Sequence, residues 1–200
     1  VLKAYYNYMN VSTDLSFLTE SAHKVAPRLL GCILKRRIHG QVLSVRIVET
    51  EAYDQTDAAS HSYKGVTPRT KIMFGPAGLL YVYFTYGMHY CCNVVVGEAG
   101  EGAAVLIRAV EPIEGEEDMA KRRNGRVGIE LTNGPAKMCQ ALAVDKRLNG
   151  HDLQQEPLTL VKSNLASNER IVQTTRIGIS QSIEVPWRFY IQDNLFVSKK

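Results

Sequence analysis

An α+β fold, one mixed sheet with helices packed around it, is what the order of elements in this chain predicts. Three observations carry that prediction. Strand-like and helix-like segments do not alternate regularly, which argues against repeated βαβ winding. The 200 residues are 45% hydrophobic and 22% charged, the balance of a globular chain long enough to bury a core without disulfide or metal staples. No internal repeat, low-complexity tract or linker interrupts the sequence, so residues 1–200 are expected to form a single domain.

The first 30 residues read as helical. Ser16-Phe17-Leu18-Thr19-Glu20 opens a stretch that runs to Leu30, with Pro27 ending or bending it. From Cys32 the texture changes to a strand, a turn at His39-Gly40 and a longer strand over 42–53. Period-2 alternation along that longer strand puts Val45, Ile47, Glu49, Glu51 and Tyr53 on one face. Residues 54–72 form a polar loop, and further strands are expected at 79–84, 93–96 and 103–110. Glu111-Pro112-Ile113-Glu114 reads as a helix start with proline in the first turn. Acids (Glu114, Glu116, Glu117, Asp118) gather at its beginning and bases (Lys121, Arg122, Arg123) at its end, as the helix dipole favours. Asn133-Gly134-Pro135 opens another helix running to Leu142. The last fifty residues read as short strands at 158–162, 176–179 and 188–191.

Charge and cysteine usage narrow the function classes. A net charge of +4, from 24 basic and 20 acidic residues, permits a nucleic-acid partner through a local patch without requiring one. Cys32, Cys91, Cys92 and Cys139 include no Cys-x-x-Cys pair, which speaks for buried reduced thiols rather than a zinc site or a disulfide framework. No apolar run approaches the length of a membrane span and no export leader opens the chain. The first residue is Val1, so the native start is left open. Gly-x-Gly-x-x-Gly, Walker, Gly-x-Ser-x-Gly and His-Glu-x-x-His motifs do not occur, which lowers the case for nucleotide-dependent, α/β-hydrolase and zinc-protease chemistry.

Two segments could carry chemistry. Residues 80–90 hold four of the ten tyrosines. Alternation sets Tyr81 and Tyr83 on one face and Val82 and Phe84 on the other, and Tyr86-Gly87 reads as a turn that pushes Tyr86 and Met88 outward. The plain reading is a packed core strand. The sharper one is a stacking platform for nucleobases with a wedge at the hairpin tip, flanked by Lys64, Arg69 and Lys71, which can neutralise phosphates. The second segment is the Glu49/Glu51 pair. Either carboxylate could activate a water, or both could be solvated or paired, and spacing alone does not choose between them. His61 is a lone histidine. Lys137 follows a helix start that offers free backbone N–H groups.

Read together, Val48-Glu49-Thr50-Glu51-Ala52-Tyr53, Ala59-Ser60-His61-Ser62, Thr67-Pro68-Arg69, Met73-Phe74-Gly75-Pro76, residues 80–90, Arg108-Ala109-Val110-Glu111-Pro112 and Asn133-Gly134-Pro135-Ala136-Lys137 closely resemble the alkyladenine (3-methyladenine) DNA glycosylase family. The blocks span about residues 25–192, and their combination is specific although no single block is. The resemblance implies one mixed domain with a curved antiparallel sheet, surrounding helices and a protruding DNA-inserting β-hairpin. It implies a monofunctional enzyme of base excision repair that needs no metal or other cofactor. Such an enzyme flips alkylated or deaminated purines (3-methyladenine, hypoxanthine, ethenoadenine) out of double-stranded DNA and hydrolyses the N-glycosidic bond. By the same resemblance Glu51 is the general base and Arg108 the arginine beside the attacking water. Tyr53, His61, Tyr83 and Asn93 form the base pocket, Tyr86 fills the vacated stack, and Arg69, Met88 and Lys137 meet the DNA backbone. The expected partner is damaged duplex DNA, bound by a monomer, with no membrane. The expected location is the cytoplasm or nucleoid of a bacterium, or the nucleus of a eukaryote, and not outside the cell.

Two other readings compete. A minor-groove protein that kinks DNA without chemistry would use Tyr86 and the basic loop and be indifferent to Glu51. A carbohydrate hydrolase would need two carboxyls flanking one bond; side chains two apart on a strand lie about 6.5–7 Å apart at the backbone, so spacing does not exclude it, but the phosphate-compatible loops favour DNA. A Schiff-base lyase step through Lys64 or Lys137 is not expected.

Overall fold

Valine-, isoleucine- and leucine-rich runs separated by short glycine turns give this chain its strands, and local antiparallel pairing assembles them into one sheet. A computed structural model describes residues 12–199. Its strands are β1 (Ile33–Ile38), β2 (Gln41–Tyr53), β3 (Leu80–Thr85), β4 (His89–Val95), β5 (Ala104–Glu114), β6 (Leu158–Val161), β7 (Ile171–Thr174) and β8 (Arg188–Ile191). Three short helices accompany them: α1 (Ala22–Arg28), α2 (Glu116–Arg122) and α3 (Pro135–Ala141). The sheet is curved and its strand pairs are antiparallel, in keeping with the α+β prediction. Its main path runs β3-β4-β5-β2-β1-β6, while β8 pairs β2 and carries β7. The helical reading of residues 1–11 lies outside the described residues. Of the remainder of that stretch, residues 16–19 form a 3-10 turn and Pro27 occupies the last turn of α1.

The main core lies between the helices and one face of the sheet. Val25 and Ala26 of α1, Met119 of α2 and Met138 of α3 pack there against Val45, Ile47, Val82, Val94, Val105 and Ile107. All four cysteines are buried and free, in line with the reduced-thiol reading. Among the described residues no helix is long and apolar enough to cross a membrane.

β2 is the central strand, and it changes neighbours along its length. Its first half pairs with β1, its second half with β8 at Glu49–Glu51, and β5 flanks it from Ser44 to Tyr53. The β2/β5 register slips at Val48 and again at Arg108. An extra residue in a strand reverses the side-chain alternation beyond it. The predicted common face of Val45, Ile47, Glu49, Glu51 and Tyr53 is therefore wrong. Val45 and Ile47 face the helices, and beyond the bulge it is Val48, Thr50 and Ala52 that do so. Thr50 Oγ1 donates to the Ala26 carbonyl of α1 at 2.9 Å, while Glu49, Glu51 and Tyr53 turn to the opposite face. The bulge is what frees the glutamates from the core.

Two further expectations fail for tertiary reasons. Residues 111–114 continue β5 instead of opening a helix, because they pair with β2; Pro112 is accommodated beside a register slip opposite Val45. The helix begins at Glu116, keeping the predicted acids and bases at its two ends. Residues 176–179 are a loop between β7 and β8, and the strand lies earlier, at Ile171–Thr174.

Gly115 makes the turn from β5 into α2 at φ 79°, and a Cβ there would overlap Leu43 Cδ2 and sit 3.1 Å from the Val42 carbonyl oxygen. Gly115→Ala combines left-handed backbone strain with overpacking. It should destabilise the protein by about 2–4 kcal/mol, measured by urea unfolding.

Candidate active site

Strand register brings distant residues into line. Tyr81 of β3 pairs with Asn93 of β4, Asn93 with Leu106 of β5, Leu106 with Glu51 of β2, and Glu51 with Arg188 of β8. Directly paired residues share a face, so this row runs across five strands on the side away from the helices. A cleft of about 480 Å³ opens over it, a size that suits a small-molecule or base-sized ligand.

Glu51 is fully buried at the base of this arrangement. Its Oε2 accepts from the Tyr53 hydroxyl at 2.8 Å and from Arg108 Nη1 at 3.2 Å. Its Oε1 accepts from the Ile177 N–H at 2.8 Å. Tyr53, Arg108 and Ile177 all line the cleft, so the carboxylate sits directly behind its wall. A carboxylate offers about four acceptor directions; three are taken, and the fourth is on Oε1. Burial first, and then the adjacent Glu51 charge, push the Tyr53 phenol well above its ordinary pKa, so it remains a donor. Burial opposes the Arg108 charge, but Glu51 and Glu49 outweigh it and hold the guanidinium above its usual value.

Glu49, indistinguishable from Glu51 by spacing, has a different environment. Its Oε1 takes Arg188 Nε at 2.7 Å and lies 3.4 Å from Arg108 Nε, and its Oε2 takes the Ser198 N–H at 2.7 Å. It is closed off by its partners, and none but Arg108 reaches the cleft.

The opposite wall is aromatic, as the alternation in residues 80–90 predicts. Tyr81 and Tyr83 stack with centroids 5.7 Å apart, and His61 meets Tyr83 edge-on at 4.6 Å. His61 Nδ1 lies 3.0 Å from the Tyr81 hydroxyl and Nε2 lies 3.4 Å from Arg69 Nη2. Arg69 can only donate, so Nε2 accepts and the neutral ring carries its proton on Nδ1. Burial, helped by Arg69, lowers the His61 pKa to about 4. Asn93 is buried, donating to the Tyr81 carbonyl at 3.2 Å while lining the cleft. Cys91, across from Tyr83 in the β3/β4 pair, also lines the cleft, its thiol raised to about 11, chiefly by burial.

β3 and β4 form a hairpin whose tip is Tyr86-Gly87-Met88. Tyr86 (φ 51°) and Gly87 (φ 67°) both adopt left-handed backbone, a conformation favoured in tight hairpin turns but rare for a tyrosine. The Tyr86 side chain is 83% exposed and Met88 69% exposed, and Tyr86 stands at the rim of the cleft. Arg69 lies with its guanidinium 5.6 Å from the centroid of Tyr83, a ring that lines the cleft. Lys137 is already engaged, by Glu130 at 2.9 Å and Asn133 at 2.7 Å. Gly134, without a side-chain cap, precedes α3, which Pro135 opens as the Asn133-Gly134-Pro135 start predicts. Among the described residues no group of three or more His, Cys, Asp or Glu side chains could hold a metal ion.

Sequence reasoning missed the loop between β7 and β8, whose residues 177–181 wall the cleft. It also missed Arg188, which neutralises Glu49, and the buried Arg176–Asp57 pair. No local signal marks these arginines: residues 151–200 hold three of the chain's 13 arginines, no more than an even share.

Two consequences can be measured. Glu49→Ala strips Arg188 of its buried partner and should cost about 3–5 kcal/mol in urea unfolding. Because the fold disfavours charged His61, the unfolded chain binds more protons between its ordinary value of 6.5 and about 4. Stability should then fall as pH drops through that window. His61→Gln should remove this part of the pH dependence in thermal unfolding curves.

Comparison with known proteins identifies the family. The Methylpurine-DNA glycosylase (MPG) family model matches residues 16–195. A protein of Carboxydothermus hydrogenoformans named "Putative 3-methyladenine DNA glycosylase" is 52% identical over 177 residues, covering 88% of this chain and 93% of its own length. Proteins of the same name from Desulfitobacterium hafniense and Methanoculleus marisnigri are 48% and 43% identical, over 88% and 92% of this chain and 93% and 97% of their own lengths. Matches thus come from both bacteria and archaea. An aromatic cleft, a buried carboxylate behind its wall and similarity over nearly the whole chain agree: this chain belongs to the methylpurine-DNA glycosylase family, hydrolases that cleave N-glycosidic bonds in DNA.

Proposed function

We propose that this protein flips alkylated or deaminated purines of the 3-methyladenine, hypoxanthine and ethenoadenine classes out of duplex DNA and hydrolyses their N-glycosidic bond with a water activated by Glu51. It acts as a single-domain monomer. The observation that carries this reading is Glu51 itself: a buried carboxylate held by three donors, with one acceptor direction left, behind the wall of a cleft lined with stacked tyrosines.

The chemistry follows from that geometry. Unpairing and unstacking a nucleotide costs a few kcal/mol. Tyr86, exposed at the hairpin tip, fills the gap and holds the duplex open. The purine enters between Tyr53, His61 and the Tyr83 ring. A purine alkylated as in 3-methyladenine carries positive charge in DNA, which aromatic faces attract, and neutral His61 adds no opposing charge. Asn93 at the floor screens purines by their exocyclic groups. Glu51 takes a proton from the water as its oxygen bonds to the sugar C1′. The C1′–N bond breaks and its electron pair leaves with the purine. The Glu51 charge also supports positive charge developing on the sugar, and Arg108 fixes the carboxylate. A cationic purine leaves neutral; a neutral lesion needs a proton from elsewhere. Arg69 by the Tyr83 ring, Met88 at the tip and Lys137 at the start of α3 meet the backbone flanking the lesion, Lys137 by exchanging Glu130 for phosphate.

Single-turnover release from a duplex carrying one hypoxanthine or 1,N6-ethenoadenine tests this. Glu51→Gln should lower the rate by about 10²–10⁴-fold with DNA affinity largely retained. Equal rates for both proteins would remove Glu51 from the chemistry. Release by neither, with 3-methyladenine also retained and binding intact, would leave a DNA-bending role.

A further inference from the structure

The loop between β7 and β8 is anchored by a charge that never reaches the cleft. The side chains of Arg176 and Asp57 are 0% and 2% exposed. The Arg176 guanidinium forks onto Asp57, with Nη2 3.1 Å from Oδ1 and Nη1 bonded to Oδ2. It also donates to the Ala52 carbonyl at 3.0 Å and to the Ser182 carbonyl at 3.3 Å. Its Cζ lies over the Tyr53 ring, 4.7 Å from the centroid, and over that of Trp187 at 5.5 Å. Asp57 accepts in turn from the Ala59 N–H at 3.0 Å. The pair therefore joins the loop after β2 to the loop before β8, and both loops line the cleft through Ala58, Ala59 and residues 177–181.

Stability is a weak reason for such a pair, since buried ion pairs are often replaceable by apolar groups without loss. Its neighbours supply a better one. Two of the three donors on Glu51 adjoin Arg176. The Ile177 N–H, next along the chain, reaches Oε1 at 2.8 Å, and the Tyr53 hydroxyl, on the ring that Arg176 faces, reaches Oε2 at 2.8 Å. We propose that Arg176, locked by Asp57, is a positioning residue for base release: it fixes the Ile177 amide and the Tyr53 ring that together orient the Glu51 carboxylate. This rests on the reading of Glu51 as the group that activates water. The two-pronged fork on Asp57 is what lysine cannot reproduce, although it keeps the charge.

The test compares Arg176→Lys, Asp57→Asn and Glu51→Gln on a duplex carrying one 1,N6-ethenoadenine. Single-turnover rates are normalised to the folded fraction at the assay temperature, and duplex affinity is measured separately. Arg176→Lys and Asp57→Asn should bind within about twofold of wild type but release the base about 10–100-fold more slowly, the cost of a misplaced reacting group. The acid limb of their pH–rate profiles should move to higher pH, because losing donors to an ionised carboxylate favours its protonated form. Rates and profiles equal to wild type in both folded variants overturn the proposal. So does a loss that vanishes on normalisation and leaves the profile unmoved, which is what a purely structural pair would give. Glu51→Gln at the wild-type rate overturns the underlying reading of Glu51. Glu51→Gln inactive with the other two unaffected overturns only the role of Arg176.

Discussion

Two glutamates on the central strand of this sheet are removed from water, and the arrangement around them follows from the need to compensate that. A buried carboxylate costs several kcal/mol unless it is paired and hydrogen-bonded. Glu49 and Glu51 are answered by Arg108 between them and by Arg188 from the neighbouring strand. Two negative and two positive groups thus share one patch, and backbone amides of Ser198 and Ile177 complete the shells. Arg108 can stand between the glutamates because β5 slips register at that residue, and the glutamates face it because β2 bulges at Val48. Irregularities in strand pairing thus decide where the charge goes.

The same network separates two chemically identical side chains. Glu49 spends its acceptors on Arg188, Arg108 and Ser198, so it behaves as part of the framework. Glu51 shares Arg108 but takes its other bonds from Tyr53 and Ile177, both on the cleft wall. Roles divide by surroundings and not by residue type, a familiar way for a pair of carboxylates to be assigned different tasks. The aromatic wall opposite works by a similar division. All three line the cleft, but Tyr81 is buried and supports Tyr83 and His61, which are the more exposed.

Rigidity and exposure are distributed to match. The cleft floor is sheet, paired on both sides, whereas the hairpin tip carries, among the described residues, the most exposed aromatic residue in strained backbone. A side chain held out at a tight turn costs conformational energy that contacts within the molecule do not repay, and such strain gathers at functional positions. Trp187 extends the ordered region away from the cleft, stacking on His23 of α1 at 5.8 Å while meeting Arg176 on its other contact. The Trp187 ring thus links α1 to the site loop.

What the sequence determined by itself is local. The strand, turn and strand of 33–53, the alternation of Tyr81 and Tyr83 against Val82, the exposed Tyr86 and the charge polarity of α2 all follow from periodicity, turn chemistry and dipole preference within a few residues. Motif order carried the family. What only the tertiary structure decided is the site: Glu51, Tyr81, Asn93, Leu106 and Arg188 meet through strand register, which no local pattern encodes. The face of the glutamates could not be read because strict alternation is blind to a bulge, and Val48 gives no sign of one. Residues 111–114 have a helix-start composition, yet pairing with β2 outweighs a propensity worth tenths of a kcal/mol per residue. Arg176 and Asp57 lie 119 positions apart, and a long-range ion pair leaves no spacing to recognise. Local preferences are set by near neighbours along the chain, whereas register, bulges and buried charge pairing are set by which strands close on each other.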